Sequence, residues 1–552
     1  MTRAAPSEYA RRSPMPRLTL PTALLAPLSG YCALVACGAF ARRLLCESTL
    51  PTIAVWGLAA LLLGALALWR RPNRESTPAC VNLTAPSLER RHELVCLALL
   101  AAATLFFAFA RRSAVPHFRH DEAIEIQFPA NLVRTGQFAF PVGEELHPEL
   151  WLCSTGPLVL LPAAALFHLL GVTVEVARLV PGFFLVLAAY AVWRFARRLA
   201  GARGAVLAVV VFLSSAEIVN TARMLLGDYA ALAFFLLGAD QWLGALEAGE
   251  RRDRRRRSLT AGLLLGAMLL AKPVYALAAF GFLCFLLWDR ASDRRVHLEQ
   301  VLIPALLVLA MVLPWEFWRV RHGTLVLLGN QVPGFPASYL TFDLGRALPK
   351  LKEALQRPEL WLAPVGLLWN LKQSAAARRA SLLLAATAGL SLLWWLTFVI
   401  ILDRYLIFPQ AAAGLLGAAL LATALERVSA AREPFERLLA LAVLLVFLAL
   451  PLLRLASNGE KVLRAPGGPW PEQKFADALR RHLPAGATIA LSRVPLEYLF
   501  FDPRPHRVVT LSEASTLPSG SFYLLIDSAE PTPAGFAELT RIGRYRLLQR
   551  GP

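Results

Sequence analysis

The feature that most constrains this 552-residue chain is the repetition of apolar runs of about 15 to 22 residues. A membrane-spanning helix needs about 20 such residues, so this repetition predicts a polytopic helical membrane protein. The chain is 57% hydrophobic and only 17% charged, whereas a soluble protein has about a quarter charged residues. The composition therefore excludes a soluble globular fold.

The runs predict about 13 transmembrane helices. They lie roughly at 20–41, 51–70, 93–111, 175–193, 204–221, 229–247, 259–272, 274–288, 299–318, 357–371, 382–402, 405–424 and 437–454. Spans 259–272 and 274–288 are short and meet at Lys272-Pro273, which predicts a helix break beside a cavity, where non-helical backbone is tolerated.

The net charge is +19, and nearly all the cations are arginine. In a soluble chain this would suggest nucleic acid. Here the arginines cluster in short loops between apolar runs, such as 194–204 and 248–258, which is the positive-inside pattern of a membrane protein. With the N-terminus cytoplasmic, all basic loops fall inside only if 156–171 does not cross. We therefore expect 156–171 to be a half-inserted or surface-lying helix on the outer face.

The pattern divides the chain into three parts. Residues 1–92 form a cytoplasmic tail and two transmembrane helices, and 93–455 form a membrane domain whose first outer loop is 112–174. Residues 456–552 are predicted to form a small α/β domain outside, with a helix at 471–483 and strands at 488–491, 507–511, 522–526 and 545–549. The predicted fold class is thus an all-α polytopic membrane protein of about 13 transmembrane helices with a small outer-face α/β C-terminal domain. The expected location is the inner (plasma) membrane, crossed many times.

Two adjacent carboxylates, Asp121 and Glu122, lie where the chain leaves the apolar run that ends near residue 110. Acidic groups at the edge of hydrocarbon are costly unless they are paired or hydrated, so they are candidate catalytic residues. The alternative is that both simply favour the first turn of a helix.

Further candidates for substrate binding occur on the predicted outer side. Arg223 and Asp228 lie at the junction of two spans, and could alternatively pair with each other. Lys272 suits a lipid phosphate, or it could reach the interface along its apolar stem. The remaining candidates are Arg404 with Tyr405, and His147. The seven cysteines include no CxxC pair, so they indicate neither a metal site nor a disulfide framework. No second aspartate forms a DxD arrangement, so no obligatory cofactor is predicted, although the sequence is compatible with a divalent metal.

The order and spacing of several short segments resemble the glycosyltransferase C superfamily between residue 93 and about residue 424. The nearest branches are the protein mannosyltransferase-like and lipid A aminoarabinose transferase-like enzymes. The segments are Asp-Glu-Ala at 121–123, 131–138, Gly-Pro-Leu at 156–158, Ala-Arg-Leu at 177–179, Arg223 with Asp228, 262–272, Pro-Trp at 314–315, and Arg404 with Tyr405.

The resemblance implies a membrane glycosyltransferase that moves a sugar from a polyprenyl-phosphate donor to an envelope lipid, glycan or protein acceptor on the outer face. It implies inversion, with Asp121 as the general base, Asp228 as a second acidic residue, and Lys272, Arg404 and Arg223 as cations for the phosphate. Ile124 occupies a position where the aminoarabinose branch has arginine, so the donor sugar stays open. In the family that the chain resembles, a short motif precedes the second helix. Here that motif is either altered around His147 or displaced to 156–158.

Two other classes of function remain compatible with this pattern. A transporter or flippase of lipid-linked sugars would place charges mid-membrane and often shows inverted repeats. A surface-polysaccharide ligase or polymerase would use a large late outer loop, which 319–356 could provide.

Overall fold

The computed structural model describes residues 90–116, 120–142, 145–147, 154–276, 298–321, 344–355, 357–397, 403–430, 433–467, 470–483, 487–491, 507–510, 522–527, 531–542 and 545–550, with single positions between 278 and 285. The predicted spans 20–41 and 51–70 lie outside the described residues.

The chain divides into two compact units. One consists of residues 1–82 and 424–446, of which the structure describes 424–430 and 433–446. The other consists of residues 83–423 and 447–552, and it contains every contact on which the candidate site depends.

The N-terminal half of the described chain is helical apart from one two-stranded hairpin. Its elements are α1 (Arg90–Phe109), α2 (His120–Thr135), β1 (Phe140–Val142), β2 (Glu145–His147), α3 (Pro157–Leu170), α4 (Val174–Ala177), α5 (Leu179–Leu213), α6 (Glu217–Asn220), α7 (Asp228–Glu247) and α8 (Arg251–Ala271).

The later helices are α9 (Glu299–Arg321), α10 (Leu344–Leu355), α11 (Pro358–Asn370), α12 (Ala375–Thr397), α13 (Ile407–Ala430), α14 (Pro434–Leu444), α15 (Leu450–Arg464) and α16 (Pro471–His482). Among them, a 3-10 turn (Asp403–Leu406) precedes α13 and a π segment (Leu445–Ala449) joins α14 to α15.

Within the described residues, six helical segments are long and apolar enough to cross a membrane. They are His92–Phe109, Val174–Leu213, Asp228–Glu247, Glu299–Trp318, Arg404–Val428 and Pro434–Arg464. The chain is thus a mostly helical, multi-pass membrane protein, and the total of 13 helices stays a prediction. Helix α3 has 14 residues, so it is shorter than a full span requires.

Two predicted basic loops are wrong, because the structure places them in helices. Residues 194–200 continue α5, which is interrupted only at Gly201, where φ is +66°. Residues 251–258 form the beginning of α8. In α5, Arg194 and Arg198 each contact the Asp240 carboxylate of α7, at 2.7 and 2.8 Å, so these two arginines are accommodated within a helix.

The expected break at Lys272-Pro273 is confirmed. Helix α8 ends at Ala271, Lys272 is extended with φ −152° and ψ 96°, and a 3-10 turn follows at Pro273–Tyr275. Proline lacks the N–H that would continue the helix and disfavours helical geometry in the residue before it.

The C-terminal strands form a five-stranded sheet in the order β4-β3-β5-β7-β6. The strands are β3 (Thr488–Leu491), β4 (Arg507–Thr510), β5 (Phe522–Asp527), β6 (Phe536–Ile542) and β7 (Tyr545–Arg550). Strand β3 pairs in parallel with β4 and β5, whereas β7 is antiparallel to β5 and β6. The sequence did not predict β6, because a bulge between Glu538 and Thr540 interrupts its alternation.

Candidate active site

Asp121 and Arg404 form the centre of the candidate site. The Oδ2 of Asp121 accepts a hydrogen bond from Nη1 of Arg404 at 2.7 Å, with the side chains 43% and 9% exposed, respectively. Asp121 occupies the first turn of α2, where the partial positive charge of a helix N-terminus favours a carboxylate. The pair therefore joins an accessible carboxylate to a largely buried cation.

Glu122, the next residue, has a different environment. It is fully buried, and its two carboxylate oxygens accept hydrogen bonds from Nε and Nη2 of Arg178 at 2.9 and 2.6 Å. Arg178 also donates to the backbone oxygen of Arg112 at 2.7 Å, and its guanidinium lies 5.2 Å from the Trp470 ring centroid. This pairing supports a structural role in which Glu122 anchors α2 to its neighbours, and the predicted catalytic role of Glu122 stays a prediction.

Asp228 begins α7 and is also buried. Its Oδ1 accepts a hydrogen bond from the Tyr275 hydroxyl at 2.8 Å, and Oδ2 has no partner in the described part of the chain. Arg404 interacts electrostatically with Asp228 as well as with Asp121. Its Nη2 also donates to the Tyr405 hydroxyl at 3.3 Å. Arg404 thus contacts the predicted residues Asp121 and Tyr405 directly and interacts with Asp228 electrostatically.

Lys272 is fully buried, which contradicts the alternative that it reaches toward the interface. Its Nζ donates to Ser154 Oγ at 2.8 Å and to Thr155 Oγ1 at 3.4 Å. Ser154 in turn donates to Glu125 Oε1, from Oγ at 2.6 Å and from its backbone nitrogen at 2.8 Å. Among the described residues, no carboxylate contacts the ammonium directly, so its charge is solvated only by neutral hydroxyls. A buried ammonium of this kind is well suited to an anionic ligand.

Sequence reasoning missed Glu125, Ser154 and Tyr275. Glu125 lies four residues after Asp121, on the same face of α2, and this spacing could have identified it. Tyr275 lies three residues after Lys272 in the turn, and its ring stacks on Phe408 with centroids 4.4 Å apart.

Close backbone packing holds the Lys272 turn in place. The backbone nitrogen of Gly156 donates to the Ala271 carbonyl at 2.9 Å. A Cβ at Gly156 would lie 1.9 Å from the Leu270 carbonyl oxygen, and one at Gly227 would lie 2.5 Å from that of Ala271. Gly227 also has a φ of +74°, a conformation that disfavours other residues. Both positions thus require glycine, because a side chain at either would prevent the close approach to the backbone at the end of α8.

Arg223 belongs to a different cluster from Lys272 and Arg404. Its Nη2 donates to the backbone oxygen of Ala110, and Nε and Nη1 have no partner within the described residues. Burial, followed by the nearby cations Arg178 and Arg112, lowers the pKa of Arg223 to about 10. Arg223 does not pair with Asp228, so that alternative is wrong, and its role as a phosphate ligand stays a prediction.

His147 ends β2, which pairs with β1 with His147 opposite Phe140. Its side chain lies outside what the structure describes, so its predicted role is not tested. Within the described residues, no group of three or more His, Cys, Asp or Glu side chains could hold a metal ion.

The arrangement thus combines an accessible carboxylate hydrogen-bonded to a buried cation (Asp121 with Arg404) and a buried carboxylate that interacts electrostatically with the same cation (Asp228). A second buried cation (Lys272) lies in the turn that also carries Tyr275, the partner of Asp228. Such a site can accept a proton at Asp121 while Arg404 and Lys272 stabilise negative charge.

Comparison with known proteins confirms the resemblance. Residues 154–318 match the family described as dolichyl-phosphate-mannose-protein mannosyltransferase. The chain has the fold of the glycosyltransferase C superfamily of membrane proteins. No curated protein sequence matches it.

Three solved structures illustrate this fold. ArnT from Cupriavidus metallidurans bound to undecaprenyl phosphate is similar with a TM-score of 0.57 at 14% identity, covering 84% of this chain and 98% of that one. The Archaeoglobus fulgidus oligosaccharyltransferase tethered with an acceptor peptide gives 0.50 at 13% identity, with 80% and 69% covered. The arabinofuranosyltransferase AftD from Mycobacteria gives 0.52 at 16% identity, with 85% and 40% covered. At these identities the similarity concerns the fold.

Proposed function

We propose that this protein is a membrane glycosyltransferase that transfers a sugar from a polyprenyl-phosphate donor to an acceptor hydroxyl, with inversion at the anomeric carbon. The observation that carries the proposal is the hydrogen bond between Asp121 and Arg404, beside Asp228. It places a potential base next to a cation, as the transfer of a sugar from a lipid phosphate requires.

In the proposed reaction, Asp121 accepts the proton of the acceptor hydroxyl while the hydroxyl oxygen attacks the anomeric carbon. The bond between that carbon and the phosphate oxygen breaks, and its electron pair leaves with the polyprenyl phosphate. A phosphate is a good leaving group, so no general acid is needed. Arg404 and Lys272 stabilise the charge that develops on it, which is often the largest contribution to catalysis.

In the proposed reaction Asp228, which interacts electrostatically with Arg404, helps to orient this cation. Its interaction with Tyr275 ties it to the turn that carries Lys272. A single displacement from opposite the leaving group would invert the anomeric configuration, because no second nucleophile is required.

The choice of donor is supported by the fold shared with ArnT, which was solved with bound undecaprenyl phosphate. The chain also shares its fold with an oligosaccharyltransferase that was solved with a tethered acceptor peptide, and this supports an acceptor that binds as a molecule distinct from the donor. We propose that the acceptor is an envelope lipid, glycan or protein, and that the reaction takes place on the outer face of the inner membrane.

The proposal is tested with the purified full-length chain in liposomes that contain a radiolabelled polyprenyl-phosphate sugar and an envelope extract as acceptor. We expect sugar transfer coupled to release of free polyprenyl phosphate in equal amounts. Glu460→Gln, which alters an exposed carboxylate on α15, is the matched control for Asp121→Asn. Movement of intact lipid-linked sugar across the bilayer without release of free polyprenyl phosphate would instead show a flippase.

A further inference from the structure

The beginning of α8 carries an unusual concentration of positive charge. Six of its first seven residues are arginine, and the remaining one is Asp253. The N-terminus of a helix has a partial positive charge, so cations there destabilise the helix. Helix formation therefore does not account for this cluster.

Some of these arginines are occupied by nearby carboxylates. Arg254 contacts Glu299 at 3.1 Å, and Arg257 contacts Asp253 at 2.9 Å. Arg251 is 81% exposed and lies 3.7 Å from Glu299. Glu299 and Asp253 are thus already paired with arginines.

Arg252, Arg255 and Arg256 are exposed, and within the described part of the chain their side chains have no carboxylate, hydrogen-bond or aromatic partner. They are spaced three and four residues apart, so they lie on one face of α8. This face is the unpaired part of the cluster.

The same face continues into exposed apolar residues. Leu259 lies four residues after Arg255 and three after Arg256, and Leu263 lies four residues after Leu259. Their side chains are 39% and 49% exposed. A basic segment that leads directly into an exposed apolar stripe matches a bilayer, in which charged headgroups adjoin acyl chains. An acidic protein partner would complement the arginines but not the leucines.

The neighbouring helix extends the apolar surface. Gly262 and Gly266 of α8 pack against Pro304 and Met311 of α9, and a Cβ at either position would lie within 2.7 Å of those residues. On α9, Leu302 and Leu306 are among the exposed large hydrophobic residues.

We propose that Arg252, Arg255 and Arg256 form a binding site for the phosphate group of an anionic phospholipid, whose acyl chains lie along Leu259 and Leu263. The site is independent of the proposed transfer reaction, since α8 carries it at the end opposite Lys272. It would anchor α8, and with it the depth of the Lys272 turn in the bilayer.

The test uses the delipidated full-length chain in neutral detergent, titrated with phosphatidylglycerol or with phosphatidylethanolamine and followed by native mass spectrometry. We expect tighter binding of phosphatidylglycerol. In R252Q/R255Q/R256Q its affinity should fall about fivefold per arginine removed, since each basic residue near an anionic surface contributes about that factor. The control R464Q/R480Q/R481Q removes three exposed arginines elsewhere and should leave the affinity unchanged.

Several outcomes would overturn the proposal. One is unchanged phosphatidylglycerol binding in the triple variant, and another is equal binding of the two lipids. Competition by inorganic phosphate at the same concentration would show a site for free anions, and tighter binding of a poly-glutamate peptide would show an acidic protein partner. Should the triple variant fail to fold, R255Q and R256Q are measured singly, and each should lose about fivefold.

Discussion

Arg404 donates a 2.7 Å hydrogen bond to Asp121 across 283 positions of the sequence. The contact connects α2, which lies within the predicted first outer loop 112–174, with the 3-10 turn Asp403–Leu406 that precedes α13. Because the same guanidinium is proposed to bind the donor phosphate, donor and base share one cation. Arg404 thus links donor binding to Asp121, the proposed base.

Arg404→Gln should weaken donor binding by about 10- to 150-fold, because a charge-assisted hydrogen bond contributes about 1.5–3 kcal/mol. Arg404→Lys keeps the charge but loses the fork geometry, so it should recover only part of the affinity. The measurement is the dissociation constant for polyprenyl phosphate in detergent. An Arg404→Gln variant that binds the lipid normally would remove Arg404 from the phosphate site.

Lys272→Met replaces the buried ammonium by an apolar side chain of similar length. Donor affinity should fall by about 10- to 150-fold for the same reason. The thermal midpoint should stay level or rise, because a buried cation that contacts no carboxylate among the described residues costs free energy. A large loss of stability with unchanged donor affinity would instead make Lys272 a purely structural residue that holds Ser154.

Glu122→Gln should destabilise the fold by about 3–5 kcal/mol, because it leaves the Arg178 guanidinium buried without its carboxylate. Replacing both partners by apolar residues, as in E122L/R178M, should restore part of the loss. Thermal unfolding in detergent measures both effects. Turnover per folded molecule should change little in Glu122→Gln if the residue is structural, and a loss as large as that of Asp121→Asn would support the predicted catalytic role of Glu122.

Gly156→Ala should destabilise the Lys272 turn, since the new methyl would lie 1.9 Å from a backbone oxygen that cannot rotate away. Overpacking of this kind costs about 1–3 kcal/mol or more. We expect a lower thermal midpoint together with weaker donor binding. Gly459→Ala is the matched control: it has nothing within 4 Å and lies in α15, where alanine should stabilise by about 0.5–1 kcal/mol. Equal effects in the two variants would contradict the role of the close approach.

Local features of the sequence were predictable because their causes are local. Pro273 ended a helix, and apolar length located α7 and α9 to within a few residues. The sequence also identified Asp121, Asp228, Lys272 and Arg404 as candidates, through their depth at the ends of apolar runs and the resemblance.

What the sequence could not provide was the pairing of distant charges. Nothing in the spacing shows that Glu122 meets Arg178 while its neighbour Asp121 meets Arg404. Adjacent residues on a helix point about 100° apart, so they reach different partners. The same limit explains the basic loops, because Asp240 can hold Arg194 and Arg198 only when α5 and α7 are packed together.

Asp121→Asn provides the most direct test of the proposed mechanism. The substitution keeps the size of the side chain and an oxygen that can accept from Arg404, but it removes the charge and the basicity. Turnover should fall by about 10²–10⁴-fold, the range for one positioned proton acceptor. The thermal midpoint should change little, because the side chain is 43% exposed and exposed charges contribute little to stability. Donor affinity should be equal or slightly higher, since Arg404 no longer has a competing carboxylate. If Asp121 only stabilises the first turn of α2, the variant would lose at most the charge–dipole interaction, about 0.3–1 kcal/mol of stability, and would keep normal turnover. Turnover and thermal unfolding, measured on the same preparation, therefore separate a base from a helix-stabilising residue.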